Sequence, residues 1–217
     1  MTTPQRTAAI LVAAGRGLRA GGGGPKQYRA VGGRTVIHRA MAAFADHPEV
    51  AVVQPVVNPD DIAVFNAAVS DLRHATPVNG GATRQASVLA GLEALVSHEP
   101  DIVLIHDAAR PFVSAGVISR AIQAASRTGA AIPVIPVNDT IKQVSDAGDI
   151  EATPERAKLR IAQTPQTFRF EPILEAHRRA ARDGLNAFTD DAAIAEWAGL
   201  TVTTFEGDVA NMKLTTP

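Results

Sequence analysis

No cysteine occurs in the 217 residues, which excludes a disulfide framework, a thiolate zinc site and a cysteine nucleophile together. An excess of positive charge is absent as well. Lys plus Arg total 21 against 22 for Asp plus Glu, a formal charge of -1. No basic surface is therefore available for a long nucleic acid, and any phosphate chemistry has to be local. No apolar run approaches the roughly 20 residues that span a bilayer. The polar start Met1–Arg6 leads into an apolar stretch without a signal-peptide cleavage pattern. The expectation is a soluble, unprocessed, cytoplasmic protein without a membrane partner. There is no internal repeat, and no low-complexity segment beyond the run Gly21–Gly24.

What is present is apolar material, 46% hydrophobic against 20% charged residues, enough for a core within one large domain. Runs rich in Val and Ile at Ala8–Ala13, Val50–Val57, Ile102–Ile105 and Ala130–Val137 alternate with segments of helical spacing. That is the pattern of βα units on a mostly parallel sheet. Ile37, Met41 and Phe44 mark one apolar helix face, and Val88, Leu92 and Leu95 another. Asn58 followed by Pro59 and two aspartates predicts a helix N-terminus, and Ser114 predicts a second cap. Gln54 and Pro55 interrupt the second strand. Because proline removes a ladder donor, that strand is expected to be bulged or to lie near an edge.

After Val137 the pattern changes. Thr140–Val144 and Ala162–Thr164 read as short strands flanking the polar stretch Ser145–Arg160, which carries a turn signal at Asp146–Asp149. This segment is expected to project from the sheet rather than complete it. Glu171–Ala181 and Asp190–Ala198 read as helices, and Thr201–Phe205 as a strand before the tail Asn211–Pro217.

The first strand runs directly into Ala14-Gly15-Arg16-Gly17-Leu18-Arg19-Ala20, four glycines and Pro25-Lys26-Gln27. Small residues there let backbone N–H groups approach a phosphate with no Cβ in the way; a plain flexible loop is the competing reading. Gly15-x-Gly17-x-x-Ala20 matches a loose dinucleotide fingerprint, yet where that motif predicts an acid the chain offers Thr35 and Val36. Gly24-Pro25-Lys26-Gln27 breaks the order of a Walker loop. Two cations, Arg19 and Lys26, suit a polyphosphate better than a nicotinamide dinucleotide.

Another strand ends Ile105-His106-Asp107-Ala108-Ala109-Arg110-Pro111. In open α/β sheets ligands bind outside the carboxyl ends of strands, which places Asp107 where a carboxylate can hold Mg²⁺ on a nucleotide. The alternative is a capped turn with Arg110 paired to Asp107. The segment Asn79-Gly80-Gly81-Ala82-Thr83-Arg84-Gln85-Ala86-Ser87 enters a helix in the same manner. It can receive a base or ribose, with a turn and cap as the competitor.

Seven motifs follow one another over nearly the whole chain: Pro25-Lys26-Gln27-Tyr28; Gly80-Gly81 with Arg84 and Ser87; His106–Pro111; Asp139-Thr140 with Lys142; Thr164-Pro165-Gln166; Thr189-Asp190; and Asn211-x-Lys213. In this order they resemble the 2-C-methyl-D-erythritol 4-phosphate cytidylyltransferase family of the non-mevalonate isoprenoid pathway. The resemblance implies an α/β fold of the Rossmann-like nucleotidyltransferase type, with a mostly parallel sheet and a projecting β-arm. It also implies a single domain over residues 1–217, a homodimer joined through the arm 140–164, Mg²⁺, and transfer of CMP from CTP to the polyol phosphate. By the same resemblance the catalytic groups are Arg19, Lys26 and Lys213. The nucleotide is held by Ala13, Ala14, Gly15, Gly17, Gly80, Gly81, Ser87, Asp107 and Ala108, with Asp107 also at the metal. The acceptor is held by Arg110, Thr140, Arg156, Thr164 and Thr189.

Leu18 departs from the family, which often carries a polar or basic residue there. The chain stops at Thr215-Thr216-Pro217, where the family normally continues into an acidic-started final helix. In some bacteria this enzyme is the N-terminal half of a fusion with 2-C-methyl-D-erythritol 2,4-cyclodiphosphate synthase, and nothing in these residues resembles that second activity.

The chemistry itself asks little of the protein in acid–base terms. A phosphate ionised at pH 7 attacks the α-phosphate of CTP without a general base, and no Ser-His-Asp set is visible. The task is to let anion approach anion and to stabilise charge as pyrophosphate leaves. The six histidines read as surface or structural, with His106 buried behind the carboxylate. Two other readings stay open: a cytidylyltransferase for another polyol phosphate such as ribitol 5-phosphate, and a non-catalytic nucleotide-sensing module. The second has no need of cations on both sides of an α-phosphate.

Overall fold

A strand of small and branched apolar residues, Thr7–Ala13, is buried at every position but Val12, so both of its faces must be covered. The computed structural model, which describes residues 5–15 and 25–214, shows how. In chain order the strands are β1 (Thr7–Ala13), β2 (Ala30–Val31), β3 (Arg34–Thr35), β4 (Val52–Val57), β5 (Val78–Asn79), β6 (Ile102–Asp107), β7 (Ala130–Pro136), β8 (Gln143–Val144), β9 (Ile150–Ala152), β10 (Arg160–Ala162), β11 (Gln166–Arg169) and β12 (Thr203–Glu206). The helices are α1 (Val36–Ala45), α2 (Ile62–Ala68), α3 (Arg84–Leu95), α4 (Ala115–Thr128), α5 (Phe170–Arg182) and α6 (Asp191–Trp197).

β1 lies in the middle of the sheet, parallel to β4 on one side and to β6 on the other. β5 closes the β4 edge, and β11 enters antiparallel between β6 and β7. β12 runs parallel along β7. The sheet is thus mostly parallel, as expected. The two-residue period of β1 divides the core. Ala9, Leu11 and Ala13 face Ile37, Met41, Phe44, Val117 and Ile118 of α1 and α4, whereas Ala8 and Ile10 face Val88, Leu92 and Ile173 of α3 and α5. α1, α3 and α4 start where short polar side chains satisfy their first N–H groups. Thr35 Oγ1 accepts from His38 N at 3.2 Å, Thr83 Oγ1 from Ala86 N at 3.1 Å, and Ser114 Oγ from Val117 N at 3.4 Å. Asn58 caps a 3₁₀ turn, Pro59–Asp61, that leads into α2.

Proline in β4 does not bulge the strand: Pro55 pairs in continuous register with Leu11. The strand does lie beside an edge, since β5 covers only Val56 and Val57. Where no strand pairs with it, the Gln54 side chain donates to the carbonyls of Pro55 and Thr76, at 3.0 and 2.9 Å, binding the following loop along β4.

The segment after Val137 differs from expectation in two ways. The strand expected at Thr140–Val144 is confined to β8, which pairs with β9 across a turn at Ser145–Asp149, with Gly148 at φ +90°. The strand expected at Ala162–Thr164 lies two residues earlier, as β10, and pairs antiparallel with β7, Ile161 opposite Ile135. β10 thus completes the main sheet, whereas β8 and β9 form a separate two-stranded sheet. The reason is that β10 and β11 form one line of chain along β7, and Gln163 N between them still donates to Pro133 O at 2.8 Å. Every residue of β10 is exposed, so the alternation that reveals a half-buried strand is missing there. β6 runs two residues past Ile105 and ends on Asp107.

α3 lies unusually close to the sheet at Gly91, where a Cβ would come within 2.8 Å of the Cγ2 atoms of both Ile10 and Val56. Gly91→Ala is expected to lose stability despite the better helix propensity of alanine. Overpacking costs about 1–3 kcal/mol against a propensity gain of about 1 kcal/mol. The denaturant midpoint should fall, and an unchanged or higher midpoint would show that the helix can lift away.

Candidate active site

The carboxyl ends of β1, β5 and β6 all open at one end of the sheet, the position at which such folds bind ligands. They carry Ala13–Gly15, Gly80–Gly81 and Asp107–Ala108. A Cβ on Gly80 would overlap the Cβ of Ala14 and stand 2.9 Å from Ser87 Oγ, so only glycine lets the β1 loop meet the start of α3. Ser87 Oγ accepts from Gly81 N at 3.1 Å and donates to Thr83 O at 2.9 Å. Buried Gln27 donates to Ala13 O at 2.9 Å and to Gly15 O at 3.2 Å, which brings the turn containing Lys26 to the end of β1. Ala108 N is bonded to Val12 O. Of the expected residues, Gly17 and Arg19 lie outside the described ones.

Asp107 is the electrostatic centre. Its Oδ1 accepts from Arg84 Nε at 3.2 Å and its Oδ2 lies 2.7 Å from Lys213 Nζ. Burial alone pushes this carboxyl up, but the two cations outweigh it and hold Asp107 well below the usual carboxylate range. Arg84 also donates through Nη2 to Asp191 Oδ2 at 2.8 Å. Burial disfavours its charge, and the two carboxylates more than compensate, so its pKa is raised. Arg110 N donates to Asp107 O at 2.9 Å, but the Arg110 guanidinium does not pair with the Asp107 carboxylate. Its Nη1 donates to Asn211 O at 2.8 Å, and burial lowers its pKa.

The tail that carries Lys213 is fastened to the loop between β10 and β11 and to the loop after β6. Asn211, fully buried, donates to Thr164 O at 2.7 Å, its carbonyl accepts from Gln163 Nε2 at 3.3 Å, and Leu214 N donates to Ala109 O at 2.9 Å. Thr164 Oγ1 accepts from Asp107 N at 3.2 Å and lies 3.0 Å from His106 Nδ1. His106, fully buried and 4.9 Å from the Phe44 ring, has its Nε2 at 3.1 Å from Arg110 O. Burial pushes its pKa down to about 4. The neutral ring therefore donates from Nε2 to Arg110 O and accepts the Thr164 hydroxyl proton at Nδ1. Thr189 directly precedes Asp190, the cap of α6, which accepts from Gln166 Nε2 at 2.8 Å.

Two expected acceptor residues stand apart. Arg156 Nη1 donates to Asn138 O at 2.6 Å and lines, with Pro136, Val137, Ala157 and Arg160, an open cavity of about 490 Å³. Among the described residues no hydrogen bond or ion pair joins Thr140 or Arg156 to Asp107, Arg84 or Lys213. Conversely, the forked pairing of Arg84, the burial of Asp191 and the bracing by Gln27, Gln166 and Asn211 were not expected. Residues 84, 107 and 191 share no spacing that a linear reading can detect.

The donor set bears on Mg²⁺. Asp107 carries two cations already, and among the described residues no three His, Cys, Asp or Glu side chains gather. This fits an ion that arrives on phosphate oxygens and takes one carboxylate at most, and does not fit an all-protein cage.

The family model described as IspD, 2-C-methyl-D-erythritol 4-phosphate cytidylyltransferase, matches residues 7–217. A bifunctional enzyme IspD/IspF from Bradyrhizobium sp. (strain BTAi1) is 85% identical over 217 residues, all of this chain and 55% of that protein. One from Rhodopseudomonas palustris (strain BisA53) is 70% identical, over all of this chain and 54% of its own length. The chain thus spans about half the length of the curated relatives it matches. The 2-C-methyl-D-erythritol 4-phosphate cytidylyltransferase of Thermus thermophilus superposes with a TM-score of 0.79 at 38% identity, over 96% of this chain and 92% of that one. The bifunctional IspDF from Campylobacter jejuni, at 24% identity and a TM-score of 0.80, shares the fold over 98% of this chain and 52% of its own.

His106 makes stability pH-dependent in a defined window. Its folded pKa of about 4 lies below the unfolded value of about 6.5, so the unfolded chain takes the proton first. The contribution is present above pH 6.5 and is lost as pH falls towards 4, on the order of 3 kcal/mol in full. Denaturant midpoints between pH 7.5 and 4.5 should fall less steeply in His106→Asn than in the parent chain. Equal slopes would contradict a buried neutral imidazole.

Proposed function

Because the chain belongs to the 2-C-methyl-D-erythritol 4-phosphate cytidylyltransferase family, we propose that it transfers CMP from CTP to 2-C-methyl-D-erythritol 4-phosphate in non-mevalonate isoprenoid biosynthesis. The products are 4-diphosphocytidyl-2-C-methyl-D-erythritol and pyrophosphate. The observation that carries this reading is the Arg84–Asp107–Lys213 assembly at the strand ends, beside the point where glycine at position 80 lets the β1 loop meet the start of α3. An acceptor phosphate oxygen forms the new bond to the α-phosphorus, and the bond to the bridging oxygen of pyrophosphate breaks. No side chain has to take a proton. His106 is suited to none, since both of its nitrogens are engaged inside the protein.

The cations do the work. Lys213, ion-paired with Asp107, and Lys26, brought to the end of β1, act on the nucleotide, and the family resemblance assigns Arg19 the same task. Electrostatic stabilisation of this kind is commonly the largest catalytic contribution. Asp107 would be the one protein carboxylate to hold Mg²⁺, which would supply further neutralisation of the phosphate charge. The backbone of Ala13–Gly15 and Gly80–Gly81, with Ser87, receives the cytidine. On the acceptor side Arg110 and Thr189 face the polyol phosphate, while Thr164 acts by orienting His106 and Asp107.

The arm supports a homodimer. Ile141, Val144, Ile150 and Ile161 are exposed large apolar side chains within residues 140–164, and the β8–β9 hairpin is marginal alone. An equivalent arm from a second copy covers them with two-fold symmetry, and carries Thr140 and Arg156 to the other copy's acceptor site. The expected location is the cytoplasm; no helix among the described residues is long and apolar enough to cross a membrane.

A pyrophosphate-release assay tests the reaction. With CTP and Mg²⁺, methylerythritol phosphate should turn over, ribitol 5-phosphate should turn over far more slowly, and ATP or GTP should not replace CTP. Rapid turnover of ribitol phosphate alone would reassign the acceptor, and nucleotide binding without turnover would indicate a sensing module.

Lys26→Ala and Arg19→Ala should each lower kcat by roughly 10²–10³ with a smaller effect on CTP affinity. Mixing Lys26→Ala subunits with Arg156→Ala subunits should restore part of the activity, because some mixed dimers then hold one intact site. No recovery despite confirmed subunit exchange would place Arg156 in its own chain's site or outside catalysis.

A further inference from the structure

We infer that Asp191 is a positioning residue for Lys213: by drawing one arm of the Arg84 guanidinium to itself, it leaves one oxygen of Asp107 to the lysine. The inference rests on the proposed transferase reading for its kinetic consequence only.

Asp191 is the first residue of α6 and its side chain is 0% exposed. A carboxylate at a helix start is favoured at the surface already. Taking it out of water costs several kcal/mol unless a partner compensates. Its partner is Arg84, 107 residues away in sequence. The Nε and Nη2 groups of an arginine form one planar fork that normally seizes both oxygens of a single carboxylate. Here the fork is divided. Nε donates to Asp107 Oδ1 at 3.2 Å and Nη2 to Asp191 Oδ2 at 2.8 Å. Asp107 Oδ2 is thereby left to Lys213 Nζ at 2.7 Å.

The result is a row of alternating charge, Asp191, Arg84, Asp107, Lys213, drawn from α6, α3, β6 and the tail. Each inner member touches both neighbours, and Lys213 is the most exposed at 39% of its side chain. Without the charge on Asp191 the guanidinium fork is free to turn onto both oxygens of Asp107 and to compete with the lysine. Asp191 itself is braced so that it cannot follow, since its backbone N donates to Gln166 Oε1 at 2.9 Å. Its other oxygen lies 3.4 Å from Nε2 of buried His177.

The test reads Lys213 directly. Amine acylation with acetic anhydride, quantified by peptide mass spectrometry, should modify Lys213 severalfold faster in Asp191→Asn than in the parent, with Lys142 and Lys158 unchanged as internal controls. Adding Arg84→Lys should restore protection, because lysine presents no fork with which to displace Lys213. In the pyrophosphate assay Asp191→Asn should lower kcat by roughly 10–100-fold, the scale of a misplaced catalytic group, while KM for CTP stays within about twofold.

Unchanged Lys213 labelling, or equal acceleration at all three lysines, overturns the inference. If Asp191→Asn does not fold, Arg84→Lys alone decides, since Lys213 should remain protected and faster labelling would refute the divided fork. The labelling does not depend on turnover, so a parent chain inactive with CTP would refute the transferase reading without touching this result.

Discussion

A single buried carboxylate imposes order on the open end of this sheet. Asp107 ends the strand next to the central one, where leaving its charge uncompensated would cost several kcal/mol. Compensation comes from Arg84, at the first turn of α3, and from Lys213 in the tail. The loop between β10 and β11 is drawn in through Thr164, whose hydroxyl receives the Asp107 backbone N–H. Three parts of the chain far apart in sequence are thus gathered at one point because one charge there cannot be left alone. The phosphate chemistry proposed for this site needs such a cluster of cations, and an anion among them eases their mutual repulsion.

The uncharged supports are as particular as the charged ones. Gln27, Gln163, Gln166 and Asn211 are buried amides whose bonds go chiefly to backbone groups. A buried amide unites donor and acceptor in one side chain, so it fixes loops that no helix or strand ladder reaches. These four secure the turn beside β1, the break between β10 and β11, the start of α6 and the tail.

How much of this could be read from the sequence follows from the physics of each element. β1, β4, β6 and β7 were legible because strands covered on both faces are short runs of Val, Ile, Leu and Ala. The caps at Asn58 and Ser114 and the turn around Gly148 were legible from local chemistry. β10 was not, because an edge strand with every side chain exposed carries no alternation. Within the site, the glycine positions and the carboxylate at the strand end were readable from their place after strands. The division of Arg84 between Asp107 and Asp191 was not, since three-dimensional proximity alone unites them. Gln54 and Pro55 were read as a disturbance, and half of that reading survives: the strand is near an edge but runs without a bulge, because the Gln54 amide supplies bonds where no neighbour strand pairs.

Because β10 and β11 both pair with β7, the polypeptide on either side of Thr164 forms a lever. Its outer half runs into residues 140–159, its inner half lies against β6, and the fulcrum is the break at Gln163–Thr164. Gln163 is nearly inaccessible and grips Asp208 and Asn211, while Thr164 grips the His106 ring and the Asp107 backbone. A pull on the arm therefore does not dissipate in a loose hinge. It arrives at the fulcrum, within two bonded contacts of both the carboxylate and the lysine-bearing tail. Whatever grasps the arm from outside thereby handles the charge cluster as well.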